Sequence, residues 1–312
     1  MIAAAMARPR ILVIKLSALG DFVLAMGPAA AIRAHHPEAE ITLLTTAPLR
    51  ELALAAPYFD RIEIDTRPRW RDLAGWLRLR RWLIAQHFDR VYDLQTSDRS
   101  SFYFYLMGPG RRPEWSGIAR GASHPDSNPK RETTHTIERQ AEQLRLAGIE
   151  AVPPPDISWA ARDIDHFDLP QRFLLLAPGG APHRPQKRWP VENFAALARI
   201  AVARGMTPLI LGHRAEQETA RTIARAVPGA RDLTMRTGIG ELVALGQRAV
   251  RAIGNDTGPM HVLAIAGTPV TVLYSAASDP SLSAPRGQRV TILHKPDLAQ
   301  LGVDEVAATL TP

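Results

Sequence analysis

Short apolar runs alternate with longer segments of helical apolar spacing along most of the chain. In the first half, the apolar runs predict strands at 10–15, 40–45, 61–65, 89–94 and 112–116. Helical spacing there predicts helices at 22–36, 47–56, 71–87 and 135–147. Strands that alternate with helices form parallel sheets covered on both faces, so the pattern predicts an α/β domain.

The second half of the chain repeats this pattern. Strands are predicted at 172–177, 207–211, 249–254, 270–274 and 289–293, and helices at 191–204, 214–227, 240–247, 260–266 and 303–310. At 312 residues the chain exceeds the roughly 250–300 residues that one hydrophobic core usually supports, so two domains are expected. The proline-rich segment 151–156 is the best candidate linker, and the stretch up to Pro170 continues it.

The predicted organisation is therefore an N-terminal domain of residues 1–160 and a C-terminal domain of residues 161–312. Ligands are expected in a central cleft, where the carboxyl ends of the two parallel sheets would face each other. One option for the final short helix, 303–310, is to pack back on the N-terminal domain.

The segment 117–134 is irregular and polar, and it is rich in Pro, Ser, Asn and Gly. A loop of this length is uncommon inside a compact domain and is typical of a functional or mobile segment.

The turn 255–261, Asn-Asp-Thr-Gly-Pro-Met-His, joins a predicted strand to a predicted helix. Asp256 or Thr257 can cap that helix, Gly258 permits close approach, and Pro259 suits its first turn. The unpaired amides and the positive end of the helix dipole favour a phosphate. His261 lies on the same helix face as Thr257. The simpler alternative is a well-capped turn with no ligand.

Asp21 occupies the equivalent place in the first half, at the carboxyl end of the first strand and the start of a helix. It could serve as a helix cap, or as a carboxylate that accepts a proton from a hydroxyl group.

The loop 178–190 places two glycines after a strand and a cationic cluster before a helix. Glycines let an anion approach the backbone, and Lys187 or Arg188 would supply positive charge. The loop lacks the order of a Walker motif, and the chain has no Gly-x-Gly-x-x-Gly fingerprint. A solvated basic loop is the alternative.

Net charge and composition narrow the choice of partners. The net charge of +7 favours an anionic partner. The absence of cysteine excludes disulfides and thiolate metal sites. Residues 1–10 have the wrong order for a secretory signal, and the longest apolar runs are too short for a membrane span. We expect a cytoplasmic protein, with peripheral attachment to the cytoplasmic face of the inner membrane as an option.

Three motifs together resemble glycosyltransferase family 9, the ADP-heptose:lipopolysaccharide heptosyltransferases. They are Lys-Leu-Ser-Ala-Leu-Gly-Asp at 15–21, Pro-Gly-Gly at 178–180 followed by Lys-Arg-Trp-Pro at 187–190, and the turn 255–261 followed by Gly-Thr-Pro at 267–269. The resemblance runs from about residue 10 to residue 295. It implies the GT-B fold, an α/β architecture of two Rossmann-like domains whose parallel sheets face a central cleft.

The resemblance also implies roles for individual residues. Asp21 would be the general base on the acceptor hydroxyl, and Lys187 would stabilise the departing diphosphate. Glu216, or Glu218, would bind the donor ribose. The remaining implied donor-binding residues are Ser17, Gly20, Gly179, Gly180, Arg188, Asp256, Thr257, Gly258, Pro259, Met260 and His261. The reaction would be a single displacement with inversion, without cofactor or metal.

The arginine-rich segment 67–82 resembles a basic stretch that binds the anionic acceptor in this family. Arg67, Arg69 and Arg71 are the implied acceptor residues, and Arg120 matches a further one. The alternative is an amphipathic helix with solvated arginines, and the tryptophans of the segment also suit contact with anionic lipid. Nucleic acid is not expected, because no recognition motif accompanies the charge.

One stretch departs from the family pattern. Tyr274 is followed by Ser-Ala-Ala-Ser-Asp-Pro at 275–280, where the family has a Gly-Pro pair. The expected function is transfer of a heptose from ADP-heptose to a lipopolysaccharide core. Another nucleotide sugar, a different acceptor, or a non-catalytic nucleotide-sugar-binding module remain alternatives.

Overall fold

The structure is a computed structural model that describes residues 8–110, 112–180 and 184–310. The chain divides into two compact units between Pro155 and Asp156, within the predicted linker and five residues before the predicted boundary. The intervening residues belong to the second unit because Ile157 and Ala160 are buried there, and Arg162 N donates a hydrogen bond to Gly240 O at 3.2 Å.

In its described residues, the first unit contains a parallel six-stranded sheet of order β3-β2-β1-β4-β5-β6. The strands are β1 (Arg10–Ile14), β2 (Glu40–Thr45), β3 (Arg61–Ile64), β4 (Arg90–Asp93), β5 (Glu114–Gly117) and β6 (His124–Pro125). The helices are α1 (Leu19–Leu24), α2 (Met26–His35), α3 (Arg50–Ala55), α4 (Leu73–Ala85), α5 (Asp98–Leu106) and α6 (Thr136–Leu146).

In the part that the structure describes, the second unit contains a parallel sheet of order β12-β11-β10-β7-β8-β9. Read from its other edge, β9-β8-β7-β10-β11-β12, this is the same order as in the first unit, with β7 in the place of β1. Its strands are β7 (Phe173–Ala177), β8 (Thr207–Ile210), β9 (Arg231–Asp232), β10 (Arg251–Asn255), β11 (Val270–Tyr274) and β12 (Val290–His294). Its helices are α7 (Val191–Ala203), α8 (Gln217–Ala226), α9 (Ile239–Arg248), α10 (Gly258–Ile265), α11 (Pro280–Ser283) and α12 (Val303–Ala307).

Each unit has its own apolar core around the central strands. In the first unit, Trp115 of β5 and Tyr103 of α5 are fully buried, and the ring of Trp115 lies 5.3 Å from that of Phe104. In the second unit, every residue of β7 is buried, as expected for a central parallel strand covered on both faces. Each buried leucine or phenylalanine side chain contributes about 1.5–3 kcal/mol to such a core.

The structure corrects several predicted elements. The helix predicted at 22–36 is two helices that meet at Ala25, because Pro28 has no N–H to donate to the preceding turn. Four elements were not predicted: the aromatic helix α5, the two-residue strands β6 and β9, and the four-residue helix α11.

The final helix, α12, belongs to the second unit rather than the first. Val306 and Leu310 are buried in the second core, and Arg204 Nη1 donates a hydrogen bond to Ala307 O at 3.1 Å. The apolar side of the final helix is therefore covered within the second unit, and its packing on the N-terminal domain stays a prediction.

Gly254, in β10, provides a test of packing at the centre of the second sheet. A β-carbon at this position would lie 2.6 Å from Ala177 Cβ and 2.7 Å from Ala177 O. We expect Gly254→Ala to lower the free energy of unfolding by about 1–3 kcal/mol, because the neighbouring strand must shift. Chemical denaturation measures this value. Gly302→Ala is the control, since nothing lies within 4 Å of its added carbon, and equal losses in both variants would contradict the packing argument.

Candidate functional site

Three side chains converge where β10 and β11 end. Asp256 follows β10, and its Oδ2 accepts hydrogen bonds from Lys187 Nζ at 2.8 Å and from Ser278 Oγ at 2.7 Å. The side chains of Lys187 and Asp256 are only 13% and 14% exposed. The structure therefore joins two predicted site residues in one ion pair, and adds Ser278, which sequence reasoning missed.

The electrostatics of this cluster hold Asp256 in its ionised form. Burial raises the pKa of Asp256, but the hydrogen bonds from Lys187 and Ser278 and the charge of Lys187 outweigh it, so the net pKa lies below its usual value. The neighbouring Tyr274 behaves in the opposite way, because burial and the Asp256 charge both raise the pKa of its phenol. Asp256 is thus a fixed negative charge that holds Lys187 at the end of the sheet.

Asn255 fixes the backbone around the cluster, although it was not predicted as a site residue. Its Nδ2 donates to Pro178 O at 2.8 Å and to Gly179 O at 3.0 Å, and its Oδ1 accepts from Trp189 N at 3.0 Å. One fully buried amide therefore links β10 to both ends of the loop that carries Lys187. One feature of the sequence could have identified Asn255: an amide side chain at the end of a buried strand needs hydrogen-bond partners, and the neighbouring loops are the candidates.

The glycine pair of this loop lies against two predicted site residues. A β-carbon on Gly179 would lie 2.9 Å from Glu216 Cγ, so only glycine permits this approach. Gly180 O accepts a hydrogen bond from Arg188 Nη2 at 2.7 Å, which turns Arg188 toward the loop backbone. Residues 181–183 of the predicted loop lie outside the described residues.

The structure distinguishes the two candidate ribose-binding carboxylates. Glu216 packs on the glycine loop, and its Oε2 accepts a hydrogen bond from His213 N at 2.9 Å. Glu218 points outward, with 80% of its side chain exposed and Arg221 Nη1 at 3.9 Å. Of the two, Glu216 is the residue that lies with the other predicted donor residues.

Of the two residues predicted to cap α10, Thr257 occupies the cap position, although within the described chain its side chain accepts no hydrogen bond from the first turn. Asp256 lies one residue before the cap position, and its Oδ2 is held by Lys187 and Ser278. Gly258 and Pro259 begin the helix as predicted, and the start of α10 is open to an anionic ligand.

Met260 and His261 are both buried, one turn into α10. The sulfur of Met260 would lie 2.8 Å from a β-carbon on Gly254, so Met260 packs against β10 rather than facing a ligand. His261 acts electrostatically on Asp256 and contributes to lowering its pKa.

In the first unit, Asp21 lies in the first turn of α1. Its Oδ2 accepts a hydrogen bond from Ala18 N at 3.3 Å, and the side chain remains partly exposed. It therefore stabilises the start of the helix without being the cap residue, and the rest of its carboxylate is available to a ligand. Ser17 N donates to Gln95 Oε1 at 3.1 Å, and Gly20 is buried within α1.

A buried charged cluster lies beneath Asp21 and was not predicted. Lys15 Nζ donates to Leu94 O at 3.2 Å, and burial lowers the Lys15 pKa although Asp21 and Asp93 act to raise it. Burial raises the pKa of Asp93 to about 6, against hydrogen bonds from the neighbouring turn that lower it. Arg131 and Asp126, inside the segment 117–134, form a further buried ion pair at 2.6 Å. This pair gives the predicted functional loop an ordered, charged anchor.

The raised pKa of Asp93 predicts a pH-dependent stability. Its folded pKa exceeds the usual value, so its contribution to stability is present below about pH 4 and is lost as the pH rises through about 6. We expect the stability of the wild type relative to Asp93→Asn to fall by about 2–3 kcal/mol between pH 4 and pH 7. Urea unfolding of both proteins across this range measures the difference. A difference that stays constant, or grows with pH, would contradict the assignment, and the exposed Asp304→Asn is the control.

The predicted acceptor arginines all lie in the first unit. Arg67, Arg69, Arg71 and Arg120 are exposed. Arg69 O accepts a hydrogen bond from Trp76 Nε1 at 3.1 Å, and Arg120 O accepts one from the Tyr105 hydroxyl at 3.2 Å. The backbones of these two arginines are therefore anchored, while their guanidinium groups face solvent.

The departure from the family pattern remains in contact with the cluster. Ser275 is buried and its Oγ accepts a hydrogen bond from Ala277 N at 3.3 Å, while Ser278 reaches Asp256.

Among the described residues there is no cluster of His, Cys, Asp and Glu suited to a metal ion. Across the same residues, no helix has the length and apolar character that crossing a membrane requires.

The sequence profile described as glycosyltransferase family 9 (heptosyltransferase) matches residues 76–304. The chain belongs to glycosyltransferase family 9. The resemblance drawn from the three motifs is thereby confirmed, and the protein is a glycosyltransferase.

Relatives of this family 9 enzyme match most of its length. The lipopolysaccharide core heptosyltransferase OpsX of Haemophilus influenzae is 24% identical over 291 residues, covering 88% of this chain and 80% of its own. Lipopolysaccharide heptosyltransferase 2 of Escherichia coli is 25% identical over 306 residues, covering 91% and 87%.

Solved structures confirm the α/β fold of the GT-B class. The E. coli ADP-heptose lipopolysaccharide heptosyltransferase II aligns with a TM-score of 0.77 at 22% identity, covering 96% of this chain and 97% of that one. The E. coli heptosyltransferase WaaC with ADP aligns with a TM-score of 0.76 at 20% identity, covering 96% and 98%. The two parallel sheets of this family 9 enzyme are those that the sequence pattern predicted.

Proposed function

We propose that this enzyme transfers a heptose from ADP-heptose to a lipopolysaccharide-core acceptor, with inversion at the anomeric carbon and without a metal ion. The observation that carries the proposal is the Lys187–Asp256 ion pair at the start of α10, beside Gly179 and Gly180. The names of the H. influenzae and E. coli relatives support heptose as the sugar and the lipopolysaccharide core as the acceptor.

On the donor side, negative charge builds on the diphosphate as the sugar leaves. Lys187 and the amides at the start of α10 supply positive potential at one end of the second sheet. Because Asp256 already holds Lys187 in place, little reorganisation is needed when a diphosphate binds, which favours the transition state. We assign stabilisation of the departing diphosphate to these groups and not to a metal ion.

On the acceptor side, Asp21 is the proposed general base. Its carboxylate makes one backbone hydrogen bond in the described structure, to Ala18 N, and keeps further acceptor capacity for a hydroxyl proton. A single base that activates the attacking hydroxyl, with no covalent intermediate, gives inversion. The exposed Arg67, Arg69, Arg71 and Arg120 would bind the anionic acceptor at the cytoplasmic face of the inner membrane.

A comparison of donors tests this function. We expect ADP-heptose to raise the thermal midpoint more than UDP- or GDP-sugars at the same concentration, since a ligand that binds only the folded state stabilises it more when it binds more tightly. Transfer to a core acceptor should continue in EDTA, and NMR of the product should give the inverted anomeric configuration. Retention of configuration, or loss of transfer in EDTA, would contradict the mechanism.

A different nucleotide sugar is the second candidate. The observation that favours it is Ser278, which reaches Asp256 from the loop that departs from the family pattern. Stabilisation by a UDP- or GDP-sugar in preference to ADP-heptose would select this alternative. Donor binding without transfer to any acceptor would indicate a nucleotide-sugar-binding module instead.

A further inference from the structure

Large apolar side chains are concentrated on one part of the first unit. Six of the twelve exposed large hydrophobic residues in the described chain lie between residues 70 and 105. Trp70 and Leu73 are the most exposed of them, at 76% and 72%. The six residues are Trp70, Leu73, Leu77, Ile84, Phe102 and Tyr105.

These residues form one surface, here termed the α4–α5 face. Positions 73, 77 and 84 recur on one side of α4, away from Leu79 and Leu83, which are buried. The ring of Trp76 on α4 lies 5.3 Å from the ring of Phe102 on α5, so the two helices are adjacent. Phe102 and Tyr105 are three residues apart and share one face of α5.

Arginines are interleaved with these apolar side chains. The guanidinium group of Arg71 lies 4.5 Å from the Trp70 ring centroid, and that of Arg112 lies 5.9 Å from the Tyr105 ring centroid. Arg80 and Arg81 are exposed on α4.

Acidic side chains do little to offset this charge. Between residues 67 and 81 there are six arginines and one acid, Asp72. Asp72 is occupied as the cap of α4, where it accepts a hydrogen bond from Gly75 N at 2.8 Å.

We propose that the α4–α5 face docks on an anionic phospholipid surface. A helix side with exposed leucine and tryptophan, bordered by arginines, matches a layer in which acyl chains lie beneath negative headgroups. A nucleic acid would use the cations and aromatic rings but offers nothing apolar to cover Leu73, Leu77 and Ile84. Each arginine near such a surface increases partitioning roughly fivefold.

Docking at this face would bring the predicted acceptor arginines to the membrane. Arg71 belongs to the face through its contact with Trp70, and Arg120 is joined to it through the hydrogen bond from Tyr105. The proposal does not depend on the proposed function, because it is tested without donor or acceptor.

Flotation of the whole protein with vesicles tests the docking. We expect binding to vesicles that contain phosphatidylglycerol, no binding to vesicles of phosphatidylcholine alone, and weaker binding as salt rises. Arg80→Gln with Arg81→Gln should reduce partitioning about 25-fold. Leu73→Ser with Leu77→Ser should reduce it at least about tenfold.

Matched exposed residues elsewhere in the same unit provide controls. Arg50→Gln with Arg145→Gln, and Leu54→Ser with Leu146→Ser, remove the same groups outside the face and should leave partitioning unchanged. Thermal unfolding of each variant establishes that it is folded, and because all substituted residues are exposed, the midpoints should remain close to that of the wild type.

Three results would overturn the proposal. The first is equal binding to both kinds of vesicle, and the second is equal losses in the face variants and their controls. The third is a change of oligomeric state in the leucine variant without a change in vesicle binding, which would identify a second copy of the chain as the occupant. Sedimentation velocity measures that state.

Discussion

Replacing Asp21 by asparagine is expected to lower kcat by about 10²–10⁴-fold, the range typical of removing a general base. Asparagine keeps the oxygen that accepts a hydrogen bond from Ala18 N but cannot take a proton from the acceptor hydroxyl. The start of α1 should therefore persist, with a loss of stability of no more than about 1 kcal/mol. Steady-state transfer assays with the preferred donor measure the effect.

Donor affinity separates catalysis from folding in this experiment. The dissociation constant for ADP should remain close to the wild-type value in Asp21→Asn, since the predicted diphosphate and ribose partners, Lys187, the start of α10 and Glu216, lie in the second unit. Asp304→Asn is the control and should retain full turnover, because Asp304 also lies in the first turn of a helix but is exposed and outside the predicted site. Full turnover in Asp21→Asn would show that another group removes the proton.

Replacing Lys187 by methionine is expected to lower kcat by about 10²–10³-fold, because the departing diphosphate loses a charged partner. The same change leaves Asp256 mostly buried without its cation, which costs about 3–5 kcal/mol when one partner of a buried pair is removed. Both effects should appear together, as slower transfer and a lower unfolding free energy.

A second substitution separates the two effects of Lys187. Adding Asp256→Asn to Lys187→Met removes the unpaired charge and should recover much of the stability. If Lys187 acts on the leaving group, the double variant will remain slow. Recovery of turnover together with stability would instead give Lys187 a purely structural role.

The central strands could be predicted because their physics is local. Runs such as Phe-Leu-Leu-Leu-Ala in β7 are buried on both faces, and their apolar continuity is visible in the sequence. In α5, by contrast, the aromatic run Phe-Tyr-Phe-Tyr has the propensity of a strand. The Ser97 cap is a local signal for a helix, but what decides against a strand is the burial of Tyr103 and Phe104 beside the sheet, which is a tertiary effect. The strands β6 and β9 are two residues long and carry no periodic signal.

The candidate site divides in a similar way. Lys187, Asp256 and the glycine loop could be assigned from motifs, but their pairing could not, since 69 residues separate Lys187 from Asp256. Asn255 was overlooked because an amide at a strand end can be structural or functional, and only its three backbone partners show which loops it joins. The buried residues Lys15 and Asp93 were overlooked for a similar reason, because nothing in the neighbouring sequence indicates that these charged side chains are buried.

The identical strand order of the two sheets makes the protein modular. Each unit has its own hydrophobic core, and the chain divides between them at Pro155. With the donor and acceptor residues divided between the units as proposed, recombination at this junction would let the choice of sugar donor and the choice of acceptor evolve separately.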